Sequence, residues 1–196
     1  MTRFLSMILM MVILTTAADA HIGLGGTVGF THGFAHPFSG LDHILAMVAV
    51  GLFAANLGGR ALWLVPSIFV AIMVAGGVAG IYGLGLPFVE IGIALSVIVL
   101  GAVVALEWKA PVAVAMALVG FFAIFHGHAH GSEIPALGSG AGYALGFTLA
   151  TASLHAIGLA AGLGLGKLSH SSRRIAQIGG GATMALAGVG FLTAVL

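Results

Sequence analysis

The sequence predicts an all-α integral membrane protein. One domain, residues 21–196, forms a six-helix transmembrane bundle behind a cleavable signal peptide at residues 1–20. Three observations carry that prediction. The 196 residues are 60% hydrophobic and only 6% charged, with a mean hydropathy of +1.21, whereas a soluble domain needs roughly 25% charged residues to face water. Six apolar runs approach the ~20 residues that cross a bilayer. The basic residues fall where alternating crossings would gather them on one side.

The first segment, MTRFLSMILMMVILTTAADA, has Arg3, an apolar core from Phe4 to about Ala17, and Ala18-Asp19-Ala20 as a small-residue cleavage site. That is the secretory signal pattern. Cleavage frees His21, whose amine and imidazole can chelate one metal ion. It also places the new N-terminus outside the cytoplasm of a bacterial-type envelope.

The apolar runs lie at about 39–57, 61–82, 87–106, 110–128, 141–166 and 174–196. Pro37 suits a first helical position, and Ser39-x-x-Asp42 reads as a capping box for the first run. Short connections favour a compact bundle of sequential neighbours. Starting outside, the loops after the first, third and fifth runs hold Arg60, then Lys109, then Lys167, Arg173 and Arg174, which are all the basic residues after Arg3. Both termini of the mature chain are therefore expected on the periplasmic side of the cytoplasmic membrane. Small residues such as Gly76-Gly77-x-x-Gly80, Gly162-x-Gly164-x-Gly166 and Gly179-Gly180-Gly181 are read as close-packing positions.

Several function classes are excluded at once. A net charge of +1 without a basic cluster gives nucleic acid nothing to bind, and the absence of cysteine removes thiolate sites and disulfides. No GxxxxGK[ST] loop is present, so transport energy would come from a gradient or a partner.

Ionisable residues are expensive in a membrane and call for a reason. One cluster, HPFSGLDH, holds His36, Asp42 and His43; the two histidines share a face if one helix starts at Pro37. Asp42 is read as a helix cap, a ligand, or an acceptor that fixes an imidazole tautomer. The other cluster, FHGHAHGSE, holds His126, His130 and Glu133 on one helical stripe, with Gly127 and Gly131 able to unwind it. Topology puts both clusters at the outer face, so one metal site from His36, Asp42, His43, His126, His130 and Glu133 is expected. His21, His32, His128 and His155 are further candidates. His128 points off the stripe, while His155 is either a satisfied interior imidazole or a relay deeper in the bundle. Glu90 reads as a dipole partner or a gate ligand, and Glu107 as a solvated loop residue. Imidazole and carboxylate without thiolate suit Ni²⁺, Co²⁺, Zn²⁺ or Cu²⁺.

HPFSGLDHILAMVAVGLFA and FHGHAHGSE resemble the two signature motifs of the HupE/UreJ family. The pattern H-x5-DH is matched by His36, Asp42 and His43. The pattern FHG-x-AHG-x-E is matched by Phe125, His126, Gly127, Ala129, His130, Gly131 and Glu133, with His128 at a free position. The resemblance spans the whole chain. It implies a secondary nickel permease of the cytoplasmic membrane associated with hydrogenase and urease, with cobalt handled by some relatives. Two alternatives stand beside this reading: an intramembrane zinc hydrolase using Ser39 and the same ligands, and an accessory protein that binds metal without passing it. The expected partners are the lipid bilayer, the ion, and a second copy of the chain or a metal-delivery protein.

Overall fold

The computed structural model describes residues 26–133 and 140–196; the expected signal peptide and His21 lie outside them. The described chain is all-α. Its helices are α1 (Gly26–Ala35), α2 (Leu41–Leu57), α3 (Ala61–Ile81), α4 (Val89–Ala105), α5 (Val112–Ser132), α6 (Gly140–Leu165) and α7 (His170–Val195), with a 3₁₀ turn at His36–Phe38. The six apolar runs become α2 to α7, and α1 is an element the sequence reading did not foresee. Four helices, α3, α5, α6 and α7, are long and apolar enough to cross a membrane, or five spans if the bent α1–α2 pair counts as one. α4 is apolar but has 17 residues, about 25 Å at 1.5 Å per residue.

The entry to α2 differs from expectation. Gly29–Phe38 and Leu41–Leu57 meet at 78°, because Gly40, extended at φ −102°, is the N-cap. The capping box does not form. Ser39 instead donates from Oγ and from its backbone N–H to the His36 carbonyl (2.6 and 2.9 Å), closing the turn, and Asp42 Oδ1 accepts the His43 N–H at 2.7 Å. His36 and His43 therefore do not share a helix face. The bend brings them together instead.

Close backbone approaches fix the helix directions. α3 and α5 run parallel, with Gly76 against Ile124 and Gly80 against His128; α2 and α6 are parallel, with Gly51 against His155 and Gly162 against Ala55; α4 and α7 are antiparallel, with Gly101 against Ala185 and Gly188 against Ala94. Gly127 and Gly131 do not unwind α5, which is continuous through them. A Cβ at either would fall inside a carbonyl of α3, Met73 or Gly77, so they are the small residues that let two backbones touch. Gly164, Gly179 and Gly180 meet nothing within 4 Å, so the packing role expected for them does not hold.

Met47, Val50 and Phe53 of α2, Val65, Phe69 and Met73 of α3, Val97 and Leu100 of α4, Val119 of α5 and Leu154 of α6 form the core. The basic loops share one end of this bundle. There Lys109 Nζ donates to Asn56 Oδ1 at 2.8 Å, and Arg173 pairs with Glu107 at 3.3 Å. Glu107 is thus a loop-to-helix tie rather than a freely solvated group.

Candidate metal site

The turn at His36 and the end of α5 meet at the opposite end of the bundle. His36 Nε2 lies 3.0 Å from His130 Nδ1, and Glu133 Oε2 lies 3.6 Å from the first and 3.5 Å from the second. Without an ion, one ring N–H donates to the other ring's nitrogen. The same distances suit a cation. Donors about 2.1 Å from a shared ion sit about 3.0 Å apart at right angles and about 3.4 Å apart at tetrahedral angles. These are the described residues whose ligand atoms converge within 4.8 Å as a group of three. Exposure falls inward: the Glu133 side chain is 59% exposed, His36 29% and His130 17%.

Beneath the triad the imidazoles continue. The His43 ring centroid is 5.2 Å from both His130 and His126. Phe69 follows, 5.9 Å from His126 and 5.1 Å from His155. His43, His126 and His155 are all buried. Phe147 walls one side, 4.4 Å from His130 and 5.1 Å from His43.

Hydrogen bonding sets which nitrogen is free. Ser96 donates its single hydroxyl proton to the Ile93 carbonyl at 2.6 Å. It can therefore only accept from His126 Nε2–H, 2.9 Å away, which leaves Nδ1 of the neutral ring as a bare lone pair. That Nδ1 is buried and has no protein partner, as are His43 Nδ1 and both nitrogens of His155. His43 Nε2 meets Thr151 Oγ1 at 3.3 Å. Buried polar groups are nearly always satisfied, so four such nitrogens on one line call for an account.

The structure thus brings together five sequence candidates: His36, His130 and Glu133 as a triad, with His43 and His126 below it. Asp42 stays apart. It lines a separate crevice with Glu90, in the first turn of α4, and Phe191. His32 stands above the triad on α1, its ring 6.3 Å from His36 and 5.9 Å from Tyr143. His128 points off the stripe as expected, and its Nε2 bonds the Leu84 carbonyl of the α3–α4 loop at 2.6 Å. His128→Ala is accordingly expected to cost about 1 kcal/mol through that bond and to leave cation binding unchanged, as calorimetric Ni²⁺ titration and thermal melting can check. Sequence reading missed Ser96, Thr151 and Phe147. Thr151 carried a signal, lying four residues before His155 on one helical face.

A family model described as HupE / UreJ protein matches residues 9–191. The chain is 50% identical over 179 residues to Protein HupE of Rhizobium leguminosarum bv. viciae, covering 91% of this chain and 92% of that one. No solved structure matches.

Proposed function

The chain belongs to the HupE/UreJ family, and from that premise we propose that it carries out secondary transport of Ni²⁺ across the bacterial cytoplasmic membrane. The family is one of metal permeases and accessory proteins associated with nickel and cobalt, not of enzymes, which sets the hydrolase alternative aside. In this reading the signal peptide is removed, the mature chain begins at His21, and α2 to α7 each cross the bilayer. Both termini face the periplasm, and the basic loops face the cytoplasm.

The observation that carries the reading is the succession of donors. The ion would exchange water for His36, His130 and Glu133 at the mouth, then pass to the free nitrogens of His43 and His126. A single closed site would hold an ion; a line of partial ones lets it enter and leave. The donor chemistry admits Ni²⁺, Co²⁺, Zn²⁺ and Cu²⁺, and Ni²⁺ is the cargo we assign on the family's associations.

Flux of each of these ions into liposomes holding the purified protein tests the reading. Ni²⁺ accumulation is the expected result. Binding without flux would make the protein an accessory binder instead. Imidazoles bind metal only when deprotonated, and burial holds the His36 imidazole below its ordinary value of 6.5, so uptake is expected to hold as the outside pH falls through that value and to drop only below it. Uptake already halved at pH 6.5 would argue against buried histidine ligation.

A further inference from the structure

We propose that Ser96 of α4 is a positioning residue for the transported ion: it holds the His126 imidazole with the Nδ1 lone pair open to a divalent cation. This rests on the transport reading above and deepens it. Ser96 would touch no ion itself, yet it would govern how the buried part of the donor line meets one.

Ser96 sits where α4 packs against α5. One turn earlier on the same helical face is Gly92, and a Cβ there would fall 2.4 Å from the Phe125 ring. Glycine therefore lets α4 lie against the start of FHGHAHGSE, and Ser96 reaches the residue that follows Phe125. Both Ser96 and His126 are fully buried.

The hydroxyl has one proton, and the Ile93 carbonyl takes it at 2.6 Å. Toward His126 Nε2, at 2.9 Å, the same oxygen can offer only lone pairs. An Nε2 without a proton would set lone pair against lone pair, so the N–H stays on Nε2. Behind a metal-bound imidazole an acceptor commonly plays this part, fixing tautomer and ring direction. A serine whose proton is already committed is such an acceptor. Nδ1 is then a bare donor with no protein partner. An apolar side chain would pack in its place without leaving a polar atom unsatisfied. The neighbouring ring, His43, 5.2 Å away between centroids, repeats the pattern: Nε2 meets the Thr151 hydroxyl and Nδ1 has no partner.

Nitrogen NMR of the full chain with labelled histidine, in liposomes, reads the tautomer directly. The His126 signals are assigned by their loss in His126→Ala. In the parent a single Nε2–H tautomer is expected, and added Ni²⁺ should broaden the Nδ1 signal. Ser96→Ala deletes one oxygen and should give a mixture of both tautomers with weaker broadening. Its maximal Ni²⁺ uptake, normalised to folded protein, should fall at least about tenfold, with KM unchanged because His36, His130 and Glu133 still capture the ion. Ser96→Thr keeps the hydroxyl and should restore the single tautomer. A serine that only completes a hydrogen bond would change the melting temperature and neither of the other readouts. An Nδ1–H tautomer in the parent, a single Nε2–H tautomer in Ser96→Ala, or parent-like uptake in that variant would overturn the assignment. A parent that passes no Ni²⁺ but shows the broadening, lost in Ser96→Ala, would sink the transport reading alone and support Ser96 as the residue that presents His126 to a bound ion.

Discussion

His130→Ala is expected to lower Ni²⁺ uptake by at least about 100-fold at normal protein levels. Loss of a partner one shell out from a metal costs roughly 10–100-fold, and His130 is itself a donor of the triad. It touches both other members of the triad, His36 at 3.0 Å and Glu133 at 3.5 Å, and its ring lies 5.2 Å from that of His43. Its removal leaves His36 and Glu133 facing each other at 3.6 Å with no donor between them and the buried imidazoles. Both capture and the hand-over to His43 are lost together. His128→Ala is the matched control, since it deletes the same side chain two residues away on a face that bonds Leu84. Uptake of ⁶³Ni²⁺ by cells, normalised to membrane protein, is the readout. If His130→Ala transports within twofold of the parent, the triad is not the entry site.

The candidate ligands were legible because the bundle is so apolar. In a chain with 6% charged residues, each buried histidine stands out, and alternating runs place the two clusters at one end. Geometry was less legible. Two histidines seven apart suggest one helix face, but Gly40 breaks the helix between them and the 78° bend performs the convergence. Asp42 sits next to His43 in sequence and on a different side of α2, because adjacent helical residues diverge by about 100°. No spacing rule announces that Ser96 on α4 would fix the His126 tautomer, since that contact joins residues thirty apart. Nor does the sequence show α1, whose apolar stretch merges with the region before HPFSGLDH.

Gly127→Ala and Gly131→Ala are expected to destabilise the protein strongly, and by a different route from the histidine variants. A methyl on Gly127 would overlap the Met73 carbonyl, and one on Gly131 the Gly77 carbonyl. Backbone cannot rotate aside as a side chain can, so α3 and α5 must separate. Overpacking of a tight interior costs about 1–3 kcal/mol, and each of these sites meets the upper end. Separation would also carry His130 away from His36, so uptake and melting temperature should fall together. In His130→Ala uptake alone should fall. Gly77→Ala is the informative neighbour, since its Cβ would stand 3.4 Å from the Gly127 carbonyl, close to ordinary contact, and it should be tolerated. Gly164→Ala, with nothing within 4 Å, should gain up to about 1 kcal/mol from helix propensity. Melting curves in detergent across the four variants would separate these cases, and a Gly127→Ala protein as stable as Gly77→Ala would refute the packing account. The histidines and glycines of FHGHAHGSE thus divide the labour: the glycines let α3 and α5 touch, and that contact holds His126 and His130 where the α2 turn can reach them.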